Sequence, residues 1–132
     1  MSKLLLCTDL DRTLLPNGDE AESKLARERF RQLAQHEQVI LAYVTGRHQQ
    51  LVEQAINDYQ LPQPDYVIAD VGSSIFEVKQ QQWVHQQNWE QKISRDWQGH
   101  SAEDLHQLFQ PVKDLQLQEQ SKQNIHKLSY YV

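Results

Sequence analysis

The chain of 132 residues has one cysteine, Cys7, so it can form neither an internal disulfide nor a multi-cysteine zinc site. A reducing, cytoplasmic setting is the expectation that follows. Glycine and proline are scarce at four each, and no Gly/Ser linker or internal repeat interrupts the chain. No apolar run approaches the ~20 residues that cross a bilayer. The run Leu4-Leu5-Leu6-Cys7 is halted by Asp9 and is too short for a signal-peptide core. Positive charge is also in deficit: 13 Lys and Arg face 18 Asp and Glu, for a net charge of −5. That balance excludes bulk neutralisation of nucleic-acid phosphates. The six histidines show no metal-ligand spacing; His100 and His106 fall on different faces of any helix. Left standing is one soluble α/β-type domain, 39% apolar and 23% charged, able to bury roughly two-thirds of its unfolded surface. Its 21 glutamines are dispersed, which reads as solvated surface.

The order of elements is legible up to Asp70. Lys3 to Thr8 (KLLLCT) and Gln38 to Val44 (QVILAYV) are short apolar runs without alternation, the pattern of strands buried on both faces. Between them, Glu20 to His36 has helical spacing, with Ala26, Phe30, Leu33 and Ala34 on one side. His48 to Tyr59 is a second helix, with Leu51, Val52, Ala55 and Ile56 in register, broken by Pro62 and Pro64. Asp65 to Ala69 is a third strand. Strand, helix, strand, helix, strand is the signature of a parallel sheet with right-handed crossovers. Beyond it, Ser74 to Val78 and Trp83 to His85 suggest a hairpin around Lys79–Gln82. Asn88 to Gln98 and Ser101 to Phe109 read as helices, the second opened by a Ser101/Asp104 capping box. Ile125 to Val132 looks strand-like.

Two stretches carry chemistry. Asp9-Leu10-Asp11-Arg12-Thr13 follows the first strand, where open α/β sheets hold their ligands. Carboxylates two apart in extended chain point the same way, and two such charges need a cation or a shifted pKa. A hard cation such as Mg²⁺ suits oxygen ligands and brings phosphate with it. Asp9 can then act as nucleophile on phosphorus, and Asp11 as the acid that protonates the leaving oxygen. The same residue type also favours turns and helix caps, and spacing alone leaves both roles open. Thr45-Gly46-Arg47, between the second strand and a helix, joins a hydroxyl, an unhindered Gly46 N–H and a helix N-terminus, an arrangement that takes anions. Alone it is also an ordinary strand-to-helix turn. Cys7 reads as a buried core thiol and Trp89 with Trp97 as packing, while Asp70 suits a cap for the turn into Gly72.

With these motifs, DLDRTLL after an apolar strand and then VILAYVTGR, the chain resembles the haloacid dehalogenase-like (HAD) phosphatases. DYVIADVGSSIF, the three tryptophans and HKLSYYV are similar to the sucrose-phosphate phosphatase branch and its Cof-type relatives. The resemblance implies a Rossmann-like HAD core over residues 1–87 and the first part of an inserted α+β cap over 88–132. It further implies Asp9 as nucleophile and Mg²⁺ ligand, and Asp11 as general acid/base and second ligand. Thr45, Gly46 and Arg47 would bind the phosphoryl group, and Thr13 would stabilise the acidic loop. The substrate would be a small phosphate ester, a sugar phosphate. Arg12 stands where the family has a small residue, and Ser74 where sucrose phosphatases tend to have Glu. The family's later Lys and acidic motif lie beyond the cap, so 132 residues are expected to carry half of a site. The competing expectation is a homologue without turnover, a phosphate- or sugar-binding or self-associating module. A sheet short of strands beside the first leaves an exposed edge, for which a homo-dimer or swapped assembly is expected.

Overall fold

Apolar runs supply the strands of the computed structural model, which describes residues 2–16, 18, 21–23 and 25–132. Strand β1 is Leu4–Thr8, β2 Val39–Val44, β3 Tyr66–Ala69, β4 Ser74–Lys79 and β5 Gln82–His85. Helix α1 covers Ala26–Ala34 and α2 Gln49–Asp58. The five strands form one sheet in the order β1-β2-β3-β4-β5. β1, β2 and β3 run parallel, with Leu6 opposite Leu41 and Tyr43 opposite Val67. The hairpin then adds β4 and β5 antiparallel. The expected α/β, Rossmann-like architecture is therefore present, with a mixed rather than purely parallel sheet.

The core sits where α2 covers the sheet. Val52, Ala55 and Ile56, spaced for one helical face, pack with Leu41, Tyr43, Val67, Ala69 and Phe76. Leu10 and Leu15 join them from the loop after β1, at 0% and 2% exposure. Asp65 pins the entry to β3: its Oδ2 accepts the Leu41 N–H, and its own N–H donates to the Leu41 carbonyl, both at 2.8 Å.

Several expectations are corrected. Among the described residues β1 is an edge strand with no neighbour on its outer side, and Leu4 and Leu5 are 54% and 58% exposed instead of buried on both faces. Cys7 is exposed for the same reason, not a core thiol. α1 is shorter than its sequence pattern and contains no fully buried residue; Phe30 and Ala34 lean on the core while Leu33 stays exposed. Glu20, at the start of the expected helix, lies outside the described residues.

Helix α3 is Gln87–Asp96 and α4 Ala102–Phe109, the latter opened by the reciprocal Ser101/Asp104 capping box. The strand-like tail reduces to β7, Tyr130–Tyr131, paired with β6, Gln116–Leu117. The three tryptophans also diverge. Trp83 packs edge-on against Phe76 and Trp97 against His126, but Trp89 is exposed and donates its Nε1–H to the Gly72 carbonyl at 2.8 Å. Among the described residues no helix is long and apolar enough to cross a membrane.

Candidate active site

The parallel register brings the ends of β1, β2 and β3 to one edge, and the loops that follow them meet there. After β1, the chain turns on the Leu10 carbonyl, which accepts the N–H groups of Thr13, Leu14 and Leu15 at 3.2, 3.0 and 2.8 Å. Buried Leu10 and Leu15 anchor this turn, so Asp9 and Asp11 stand on a fixed base. Asp9 is exposed, and its Oδ1 accepts the Leu10 N–H at 2.7 Å. Arg12 takes a left-handed φ of 59° and is exposed. Thr13 is exposed and contributes its backbone N–H to the turn.

After β2, the Thr45 N–H continues the ladder onto the Ile68 carbonyl at 2.9 Å. Thr45 is buried, and its Oγ1 accepts the Arg47 N–H at 3.2 Å, closing a tight turn. Gly46 lies under Val71: a Cβ there would be 3.6 Å from Val71 Cγ2, an ordinary contact. α2 then starts after His48, whose side chain makes no cap, so the first N–H groups of the helix are not covered by their own N-cap.

The two loops are joined by Arg47. Its Nε–H donates to Asp11 Oδ2 at 2.9 Å and its Nη2–H to Asp11 Oδ1 at 2.6 Å, a bidentate pair. The hydrogen bond to Asp11, more than the bare charge, pushes the Arg47 pKa further above its usual value against the opposing effect of burial. With 27% and 36% of the two side chains exposed, solvent screens the pair. Its stabilising worth is then on the order of 1 kcal/mol or less, and its larger effect is to fix where both groups sit.

A third loop closes the site. Asp70, Val71 and Gly72 adopt φ values of 53°, 59° and 89°. Left-handed backbone costs roughly 1–2 kcal/mol per non-glycine residue and is worst for a β-branched one such as Val71. Asp70 is 7% exposed, and its Oδ2 accepts the Ser74 hydroxyl at 3.0 Å. The Ser74 hydroxyl is thus committed to Asp70. Asp70 Oδ1 lies 3.3 Å from Lys127 Nζ, and the same ammonium lies 3.5 Å from the Gly46 carbonyl. Beside this loop, Gln49, Ser73, His85, Glu90, Asn124 and His126 line a cavity of about 360 Å³.

The structure therefore gathers Asp11 and Arg47 in direct contact, sets Thr45 and Gly46 in the same turn and leaves Asp9 exposed on the adjoining loop. Asp70 proves more than a turn cap. Lys127 was not recognisable from the sequence as part of this region: it is 57 residues from Asp70 and 81 from Gly46, and no local pattern links them.

Compared with known proteins, residues 2–132 match the family model described as sucrose-6F-phosphate phosphohydrolase. A HAD-like hydrolase from Nitrosococcus oceani is 53% identical over 129 residues, which is 98% of this chain and 35% of that protein. A glucosylglycerol-phosphate synthase from Pseudomonas anguilliseptica is 32% identical over 97% of this chain and 16% of its own length. The solved sucrose-phosphatase of Synechocystis sp. PCC6803, in complex with sucrose and phosphate, superposes with a TM-score of 0.73 at 26% identity, over 98% of this chain and 49% of that one. The chain thus spans about a third or less of the length of the Nitrosococcus and Pseudomonas relatives and about half of the Synechocystis one.

Proposed function

Because the chain belongs to the sucrose-6F-phosphate phosphohydrolase family, we propose that it carries the nucleophile and phosphate-binding half of a Mg²⁺-dependent sugar-phosphate phosphatase. In this reading residues 1–87 are the HAD core and residues 88–132 the first part of the cap. The observation that carries it is the bidentate Arg47–Asp11 pair, a physical join between the twin-acid loop and the anion loop. The Synechocystis relative, whose structure holds sucrose and phosphate, supports a sugar phosphate as the substrate class.

The residues act as follows. The phosphoryl oxygens lie against the Gly46 N–H and the uncapped start of α2, where backbone N–H groups and the helix dipole favour negative charge. A phosphate dianion competes with Asp11 for Arg47. While Arg47 holds it, Asp11 is engaged as an acceptor; once Arg47 has turned to the phosphate, Asp11 can take a proton from water and serve as acid. Asp9, exposed and free to approach, attacks phosphorus; the P–O bond to the sugar breaks as Asp11 gives its proton to the leaving oxygen. Water then attacks the Asp9-bound phosphorus, Asp11 takes its proton, and the P–O bond to Asp9 breaks. Mg²⁺ fits the donor chemistry, since Asp9 and Asp11 are hard oxygen ligands that would hold it; among the described residues no further Asp, Glu, His or Cys gathers with them. When bound, the ion would neutralise charge on the phosphoryl group. The cavity bordered by Gln49, Glu90 and Asn124 offers donors and acceptors suited to sugar hydroxyls.

Release of phosphate from an aryl phosphate tests the reading. Turnover should require Mg²⁺ and fall by at least about 10³-fold in Asp9→Asn, as for loss of other catalytic nucleophiles. Equal rates for the two proteins leave a binding module without turnover. The bare flank of β1, with Leu4 and Leu5 exposed, supports self-association of this chain through an edge-to-edge pair. Light scattering should show a dimer at high concentration, and a clean monomer contradicts it.

A further inference from the structure

Three consecutive carbonyls of the anion loop are tied down. The Thr45 carbonyl accepts the Val71 N–H at 3.3 Å, and the Arg47 carbonyl accepts the Asp70 N–H at 2.9 Å. Between them the Gly46 carbonyl lies 3.5 Å from Lys127 Nζ. None of the peptide bonds is cis, and in a planar trans unit the C=O and the next N–H point opposite ways. The tethers therefore turn the N–H groups of Gly46, Arg47 and His48 away from the β3–β4 turn. Thr45 Oγ1 takes the one from Arg47. β2 lies between β1 and β3, so the loop that bears Asp9 and Asp11 follows the strand on the other side of β2 from the β3–β4 turn.

Two of these tethers come from a costly turn, in which Asp70 and Val71 both have positive φ without being glycine. Something must hold it. The Asp70 carboxylate does so from inside: it accepts from Ser74 and pairs with Lys127, and the Asp70 and Lys127 side chains are only 10% and 11% exposed. Lys127 arrives from the segment after the 3₁₀ turn Gln120–Lys122 together with Asn124, whose Nδ2–H donates to Ser73 Oγ at 2.9 Å. A distant stretch of chain is thus fastened to both ends of the turn.

We propose that Asp70 and Lys127 are positioning residues of the anion loop: Asp70 holds the left-handed turn that aims the Gly46 and His48 N–H groups, and Lys127 fixes the Gly46–Arg47 peptide and neutralises Asp70. The proposal rests on the phosphatase reading of that loop. Asp70→Asn separates orientation from charge. On charge alone, deleting a carboxylate beside an anion site tightens phosphate binding; loss of orientation weakens it. Asparagine tolerates positive φ, so the variant can still fold, but its neutral amide does not hold the Lys127 ammonium and the turn loses its inner support.

The experiment titrates inorganic phosphate into the full ¹⁵N-labelled chain and follows the Gly46 amide, one of four glycines. In the parent chain the Gly46 signal should shift to saturation. Asp70→Asn and Lys127→Met should each weaken binding about tenfold, the scale of lost support around a binding group, and Lys127→Arg should recover part of it. Phosphate bound as tightly or more tightly by Asp70→Asn overturns the positioning role of Asp70, and unchanged affinity in Lys127→Met overturns that of Lys127. A Gly46 signal that phosphate does not move in the parent chain removes the phosphatase reading, and this proposal with it.

Discussion

Tyr43 is fully buried in β2, and its hydroxyl donates to the Pro62 carbonyl at 2.7 Å. Burial pushes its phenol pKa well above the ordinary value of 10.0. The unfolded chain then ionises this residue before the folded one does. Its contribution to stability is whole below about pH 10 and declines as pH rises further, by at most about 1.4 kcal/mol per pH unit. Tyr43→Phe should flatten that decline in urea unfolding and cost about 1–2 kcal/mol at neutral pH, because the Pro62 carbonyl loses its donor. A decline of the same slope in the variant contradicts the assignment. At this scale Asp9, Asp11, Thr45, Gly46 and Arg47 were legible because each lies just past an apolar run, where the sheet must expose its ends. The Arg47–Asp11 bond was not, since side-chain pairing across 36 residues leaves no periodic trace. Lys127 was hidden for the same reason at greater separation.

Among the elements, β1 and β2 look alike in sequence and differ in surroundings. LLLCT and VILAYV are both unbroken apolar runs, yet β2 is flanked by two strands and covered by α2, whereas β1 has one neighbour. Leu41→Ala in β2 should cost about 2–5 kcal/mol, with a cavity left in the core. Leu5→Ala in β1, at 58% exposure, should stay within roughly 0.5 kcal/mol. Chemical denaturation measures both, and equal losses would mean that the edge is covered. An apolar run reports that a strand forms; it does not report whether a neighbour sits beside it. The tail illustrates the converse. Ile125 to Val132 has strand-like residues, but the Asn124 and Lys127 backbones bond each other and the Ser129 N–H donates to the Gln123 side chain, leaving only Tyr130–Tyr131 for a ladder.

For the whole molecule, topology does the work that no single motif can. Parallel β1, β2 and β3 deliver three loops to one edge of the sheet, and an acid pair, an anion turn and a strained support meet there. The alternating strand–helix pattern sufficed to foresee that edge, because a parallel sheet admits few connections. It could not foresee that residues after α4 return to it. The central claim is that Asp9 attacks phosphorus at this edge. The most direct measurement is peptide mapping by mass spectrometry after the chain is mixed with an aryl phosphate and Mg²⁺ and quenched in acid. One phosphoryl mass on Asp9, absent from Asp9→Asn, is the predicted result; label on another residue, or none on Asp9, contradicts it.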